Sequence, residues 1–131
     1  MADLGFDHSP YMRFLGLRMI RSERGLVEIQ LPFREEFIRG DGSDWLHGGV
    51  VSALVDIVGD YAVITELGPG VPTIDLRVDY HAAALPGDLF ARGKVIRFGG
   101  QFSTAEAQVL DQDGKLLASG RGTYLTAPPK G

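Results

Sequence analysis

Leu46-His47-Gly48-Gly49-Val50-Val51-Ser52-Ala53-Leu54-Val55-Asp56, running on as Ile57-Val58-Gly59-Asp60-Tyr61-Ala62-Val63-Ile64 to Leu67, decides how this chain folds. Its apolar residues cover nearly every direction around a helix. Such a helix is buried on most sides. The exceptions, Ser52, Asp56 and Asp60, are spaced i, i+4, i+8 and form one narrow polar stripe. Gly68-Pro69-Gly70 stops the helix. Two carboxylates on a buried helix are unusual, because burying a charge is costly unless it is paired.

Outward from the helix, the chain reads as strands. Thr73, Asp75, Arg77 and Asp79 alternate with Ile74, Leu76, Val78 and Tyr80. Leu89 to Arg97, Phe102 to Leu110 and Leu116 to Leu125 follow, with Ala105, Ala107 and Val109 on one face and a hairpin turn at Asp111-Gln112-Asp113-Gly114. Before the helix, Ser9 caps a short helix with Pro10 at its first position, ending at Gly16. Leu17 to Arg21 and Leu26 to Leu31 are extended, with a turn at Gly25, and Pro32 ends the second strand. Residues 33–46 form a long connection closing in the turn cluster Asp41-Gly42-Ser43-Asp44. The order predicts an α+β fold: antiparallel strands around one long central helix, with a sheet curled to cover the helix on several sides. Residues 9–126 form the single domain, 1–8 a flexible arm and 127–131 a flexible tail.

Composition narrows function. The chain has 131 residues, enough for one domain. Lys+Arg is 13 and Asp+Glu 17, for a net charge of -4. That balance gives no general field for nucleic acid or an anionic membrane. There is no cysteine, so thiolate catalysis, disulfides and Cys-ligated zinc are excluded, and a cytoplasmic location is expected. The three histidines, His8, His47 and His81, are scattered without metal-ligand spacing, so no metal and no cofactor are expected. No segment is apolar for the ~20 residues that would span a bilayer. Glycine is abundant, at 18 residues, but no GxGxxG follows a first strand.

The stretch from Leu46 to Asp56 resembles the signature of hotdog-fold acyl-CoA thioesterases, and within them the phenylacetyl-CoA thioesterase (PaaI-like) branch. The resemblance continues at Thr73 to Tyr80, at Arg97-Phe98-Gly99-Gly100, and from Asp113-Gly114-Lys115-Leu116 to Gly122-Thr123-Tyr124. It covers about residues 14 to 126, and implies a hotdog fold and hydrolysis of an acyl-CoA thioester.

The resemblance makes Asp56 the general base or nucleophile. Physically, a carboxylate in apolar surroundings keeps reactive lone pairs unless it is paired. A buried Asp satisfied by backbone or hydroxyl donors is the structural alternative. The resemblance also implies that the Gly48 amide, with help from Gly49, polarises the thioester carbonyl. Amides at a helix start lack intrahelical acceptors, and glycine admits a close approach. His47 is read as shaping the loop or bonding across an interface rather than as the base. Asp41 stands where the PaaI-like pattern has Asn. It lacks the NH₂ donor, and if it faced Asp56 one of the two pKa values would rise. Otherwise it is an ordinary turn residue. Thr73 matches a family hydroxyl that contacts the carboxylate or its water. Asp60 is assigned no catalytic role.

For the nucleotide end of CoA, the resemblance suggests Arg97, Gly99 and Gly100, with Arg92 and Arg121. Trp45, Phe37, Tyr61 and Tyr80 are candidates for lining the acyl pocket or for plain core. Each site in the family is built from two subunits, so a homodimer is implied, and a dimer of dimers, a tetramer, is common there. The competing reading is a non-hydrolytic acyl-CoA or acyl-carrier binding module, favoured by Asp41. A hydratase ranks below it, and nucleic-acid binding last.

Overall fold

A computed structural model describes residues 8–68 and 70–127. The expected arm and tail therefore lie outside the described residues, apart from His8 and Ala127. Helix α1 is Pro10–Leu15, with the Ser9 hydroxyl accepting from the Met12 amide and Gly16 closing it at φ 77°. Strands β1 (Arg18–Glu23) and β2 (Leu26–Leu31) turn at Gly25 (φ 76°). The connection holds a short 3₁₀ turn, Glu35–Phe37, and an isolated bridge between Ile38 and Leu46. Helix α2 is Gly48–Leu67, 20 residues. Strands β3 (Thr73–Tyr80), β4 (Leu89–Arg97), β5 (Phe102–Asp111) and β6 (Leu116–Leu125) complete the chain.

The six strands pair antiparallel in the order β1-β2-β4-β5-β6-β3. This corrects one expectation. The sheet is a single open layer with free edges at β1 and β3, and it is not curled around the helix. The helix lies on one face of this layer, and other parts of the chain cover the rest of it. Its Leu54, Val55 and Val58 are fully buried, each worth about 1.5–3 kcal/mol. Small residues of the inner sheet face, among them Ala91, Gly93, Ala107 and Gly120, let it lie close. Phe37 and Leu46 of the connection and Leu15 of α1 join the same core. The sequence reading gave the sheet the task of covering the helix on several sides and named Phe37 as a core candidate, but gave Leu46 and Leu15 no part in that cover.

Gly93 shows how close the approach is. A Cβ there would overlap the Val58 carbonyl oxygen, a rigid backbone atom. Gly93→Ala is expected to cost about 2–4 kcal/mol as helix and sheet are forced apart. Gly100, which has open space and no positive φ, should accept Ala within about 0.5 kcal/mol. Denaturant unfolding of both variants checks the contrast; equal effects would show that the contact is slack.

Candidate functional site

His47 is the N-cap of α2, and its Nδ1 accepts from the Gly49 amide at 2.8 Å. An accepting Nδ1 places the proton of the neutral ring on Nε2. The Gly49 N–H is thus already used. The Gly48 amide, one residue earlier, has no acceptor among the described residues, and it stands at the positive end of a 20-residue helix. The Gly48 carbonyl is held by the Tyr80 hydroxyl at 2.9 Å. A cleft of about 720 Å³ opens here, lined by Arg39 to Trp45 with His47 and Gly48. Trp45 and Tyr80 flank this helix start on two sides, whereas Phe37 and Tyr61 are core.

Asp56 lies two turns along the same helix and is half-buried. The Thr73 hydroxyl donates to its Oδ1 at 2.7 Å. Strict alternation would put Thr73 on the outer face with Asp75, Arg77 and Asp79. A bulge prevents this. Thr73 pairs with Tyr124, and Asp75 with the adjacent Thr123, so two residues of β3 oppose one of β6. The extra residue turns Thr73 to the inner face, where Tyr124 also points. The fully buried Tyr124 then reaches the Asp56 carbonyl through its hydroxyl, at 3.2 Å. Gly59 and Gly122 make room for it, since a Cβ at either would overlap the Tyr124 hydroxyl. Sequence reading missed Tyr124 and the role of Tyr80. Nothing local marks them, because each meets its partner only across the tertiary packing.

Asp60 is the more perturbed carboxylate. Burial and then the neighbouring Asp56 push its pKa up to about 7, against the pull of the Val71 backbone N–H. Its Oδ1 is buried without a hydrogen-bond partner among the described residues. Asp41 does not join this pair. It sits in the exposed turn of the cleft beside Gly48, and Asp56 does not line that cleft.

The five residues expected at the nucleotide end do not converge within one chain. Arg92 is exposed on β4, 3.7 Å from Glu28, and Arg121 is exposed on β6 opposite Arg77 and Glu106. Arg97 ends β4 and reaches the Phe102 carbonyl at 3.5 Å. Gly99 is buried, and its amide donates to Ser103 Oγ at 3.1 Å, whereas Gly100 is open. Among the described residues no group of three or more His, Asp or Glu could hold a metal ion. None of their helices is long and apolar enough to cross a membrane.

Residues 45–118 match the family model described as the thioesterase superfamily. A crystal structure of a protein from that superfamily is 47% identical, with a TM-score of 0.88, over 92% of this chain and 91% of that one. A proposed esterase of Saccharolobus solfataricus is 32% identical over 86% of this chain and 79% of its own length. The medium/long-chain acyl-CoA thioesterase YigI of Salmonella typhimurium is 25% identical over 90% of this chain and 86% of its own. The Escherichia coli PaaI structure, at 19% identity and a TM-score of 0.85 over 95% of this chain and 89% of that one, shares the fold.

Proposed function

The chain belongs to the thioesterase superfamily, and from that premise we propose that it hydrolyses an acyl-CoA thioester to the free acid and CoA. One observation carries the reading: a half-buried carboxylate, Asp56, held by the Thr73 hydroxyl on the polar stripe of an otherwise apolar helix. The likeness to a medium/long-chain acyl-CoA thioesterase supports the substrate class. The motif from His47 to Asp56 supports a place near the PaaI-like branch. A chain without cysteine suits the cytoplasm.

Thr73 occupies Oδ1 and fixes the carboxylate plane. Oδ2 then takes a proton from water as the water oxygen bonds to the thioester carbon. Alternatively, that oxygen attacks the carbon itself and forms an anhydride that water later opens. On either route the carbonyl oxygen becomes negative, the Gly48 N–H donates to it, and collapse expels the CoA thiolate, which is then protonated.

Gly48 and Asp56 cannot serve one carbonyl from one chain. Eight residues of helix separate them by about 12 Å. The reading therefore takes the amide from one copy and the carboxylate from another. The free β3 edge, with Ile74 and Tyr80 each 55% exposed, supports pairing of copies there, as a dimer or a tetramer.

Free-thiol release from phenylacetyl-, hydroxybenzoyl-, short- and long-chain acyl-CoAs tests the function. Turnover of one class is the expected result. Binding without turnover would replace the reading with an acyl-CoA binding module. Thr73→Val should lower kcat about 10-fold with KM little changed, since it frees the carboxylate to rotate. An unchanged kcat would remove Thr73 from the mechanism.

A further inference from the structure

The proposed mechanism leaves the half-buried carboxylate of Asp60 unused. Asp60 lies one helical turn past Asp56, on the same face of α2. Its Oδ1 is shut off from solvent and has no hydrogen-bond partner among the described residues. The groups that act on it are few. Asp56 faces it from its own helix and the Val71 amide from the connection before β3. From β6 comes the hydroxyl of Tyr124, which both carboxylates push above its ordinary pKa, after burial itself. Among the described residues no cation reaches Asp60 to neutralise it.

We infer that Asp60 is a proton-holding positioning residue for Asp56: it keeps its proton while Asp56 is ionised, and when it loses that proton its charge drives negative charge off Asp56 toward the substrate. The inference rests on the proposed thioesterase reaction. Its physics is that of two carboxylates in one poorly solvated site, where the second ionisation is postponed. The proton is assigned to Asp60 because the Thr73 hydroxyl bonds Asp56, whereas the enclosed Oδ1 of Asp60 has no donor among the described residues. The direction of the effect follows from where charge moves. In either chemical route negative charge leaves Asp56, the carboxylate that Asp60 faces, for the carbonyl oxygen of the substrate. A second negative charge one turn away therefore favours the step. The raised pKa of about 7 puts this gain within the neutral range.

The fold must carry the same ionisation. A carboxyl group with a folded pKa above its unfolded value binds more protons folded than unfolded. Stability therefore falls as pH rises from about 4 to about 7, and then levels.

The test compares full-length wild type, Asp60→Asn and Asp56→Asn. Thermal unfolding from pH 5 to 9 comes first. The wild-type Tm should fall as pH rises toward 7, whereas Asp60→Asn should lack that fall and exceed wild type at pH 8 by about 5 °C or more. The pH profile of thioester cleavage comes second. Wild-type kcat should show an added rise near pH 7 that Asp60→Asn lacks, leaving the variant about 3- to 10-fold slower at pH 8 with KM little changed, and the deficit should shrink below pH 6.5. Carboxyl ¹³C NMR comes third: the Asp60 ionisation should move down in Asp56→Asn. Wild-type cleavage with an Asp60→Asn profile of unchanged shape would overturn this inference and leave the proposed function intact. Loss of stability in Asp60→Asn at every pH would make Asp60 a structural acceptor and overturn it as well. If wild type cleaves no thioester, the function fails, and the positioning role fails with it even where the NMR coupling is found.

Discussion

Asp56→Asn is expected to fold as wild type does and to lose acyl-CoA hydrolysis by about 10²–10⁴-fold in kcat. Asn keeps the shape and the acceptor oxygen that Thr73 Oγ1 needs, 2.7 Å away. What it lacks is a basic or nucleophilic oxygen. Both routes, base and nucleophile, require that oxygen, so the loss does not depend on which operates. The variant also removes the charge nearest Asp60. It should therefore be as stable as wild type or more so at neutral pH, which separates lost chemistry from lost fold. Full activity in a folded Asp56→Asn would end the proposed mechanism. A large drop in stability would recast Asp56 as a structural acid held by Thr73.

The second large effect is expected from Gly48→Pro, which deletes one N–H and little else. Gly48 is the first residue of α2, where proline is well accepted. The preceding His47 already sits at φ -64°, ψ 135°, the extended conformation that a following proline demands. A Cβ at Gly48 would come no nearer than 3.6 Å to the Tyr80 ring, an ordinary contact. Stability should hold within about 1 kcal/mol. Removal of an oxyanion donor should lower kcat about 10²–10³-fold. Gly48→Pro and Asp56→Asn also test the composite site together. If amide and carboxylate come from different copies, co-refolding the two dead variants makes hybrids in which one of two sites is intact. About a quarter of wild-type activity should then return. No recovery, with hybrids shown to form, would place both groups in one chain.

Much of this molecule is legible in its residues. The span of α2 follows from an apolar pattern on all sides, and its end from Gly68. The bounds of β2, β3, β4 and β6 follow from alternation and from the turns at Gly25 and Gly114, both at positive φ. Ser9 and Pro10 start α1 as their cap chemistry requires. These are local matters, decided within a few residues by φ/ψ preference and hydrophobic period. The polar stripe Ser52, Asp56, Asp60 is legible for the same reason.

The site's working geometry is not local. Alternation places Thr73 on the wrong face, and only the β3–β6 register, with its bulge, turns it toward Asp56. Two carboxylates four residues apart look alike in sequence. Packing decides that Asp56 receives a hydroxyl while Asp60 encloses one oxygen with no partner among the described residues. The arginines offered for the CoA phosphates are alike in charge, yet Arg92 and Arg121 stand within different strands with β5 between them.

By itself, then, the sequence determined one long apolar helix, its caps, the strands around it and the carboxylates it carries, because helix and strand periods and turn chemistry act over a few residues. Only the tertiary structure decided that the sheet is an open layer, which partner each carboxylate meets, and that the β3 bulge turns Thr73 to Asp56. Those outcomes depend on pairing and burial between residues distant in sequence, where the energy lies in contacts that no short stretch contains.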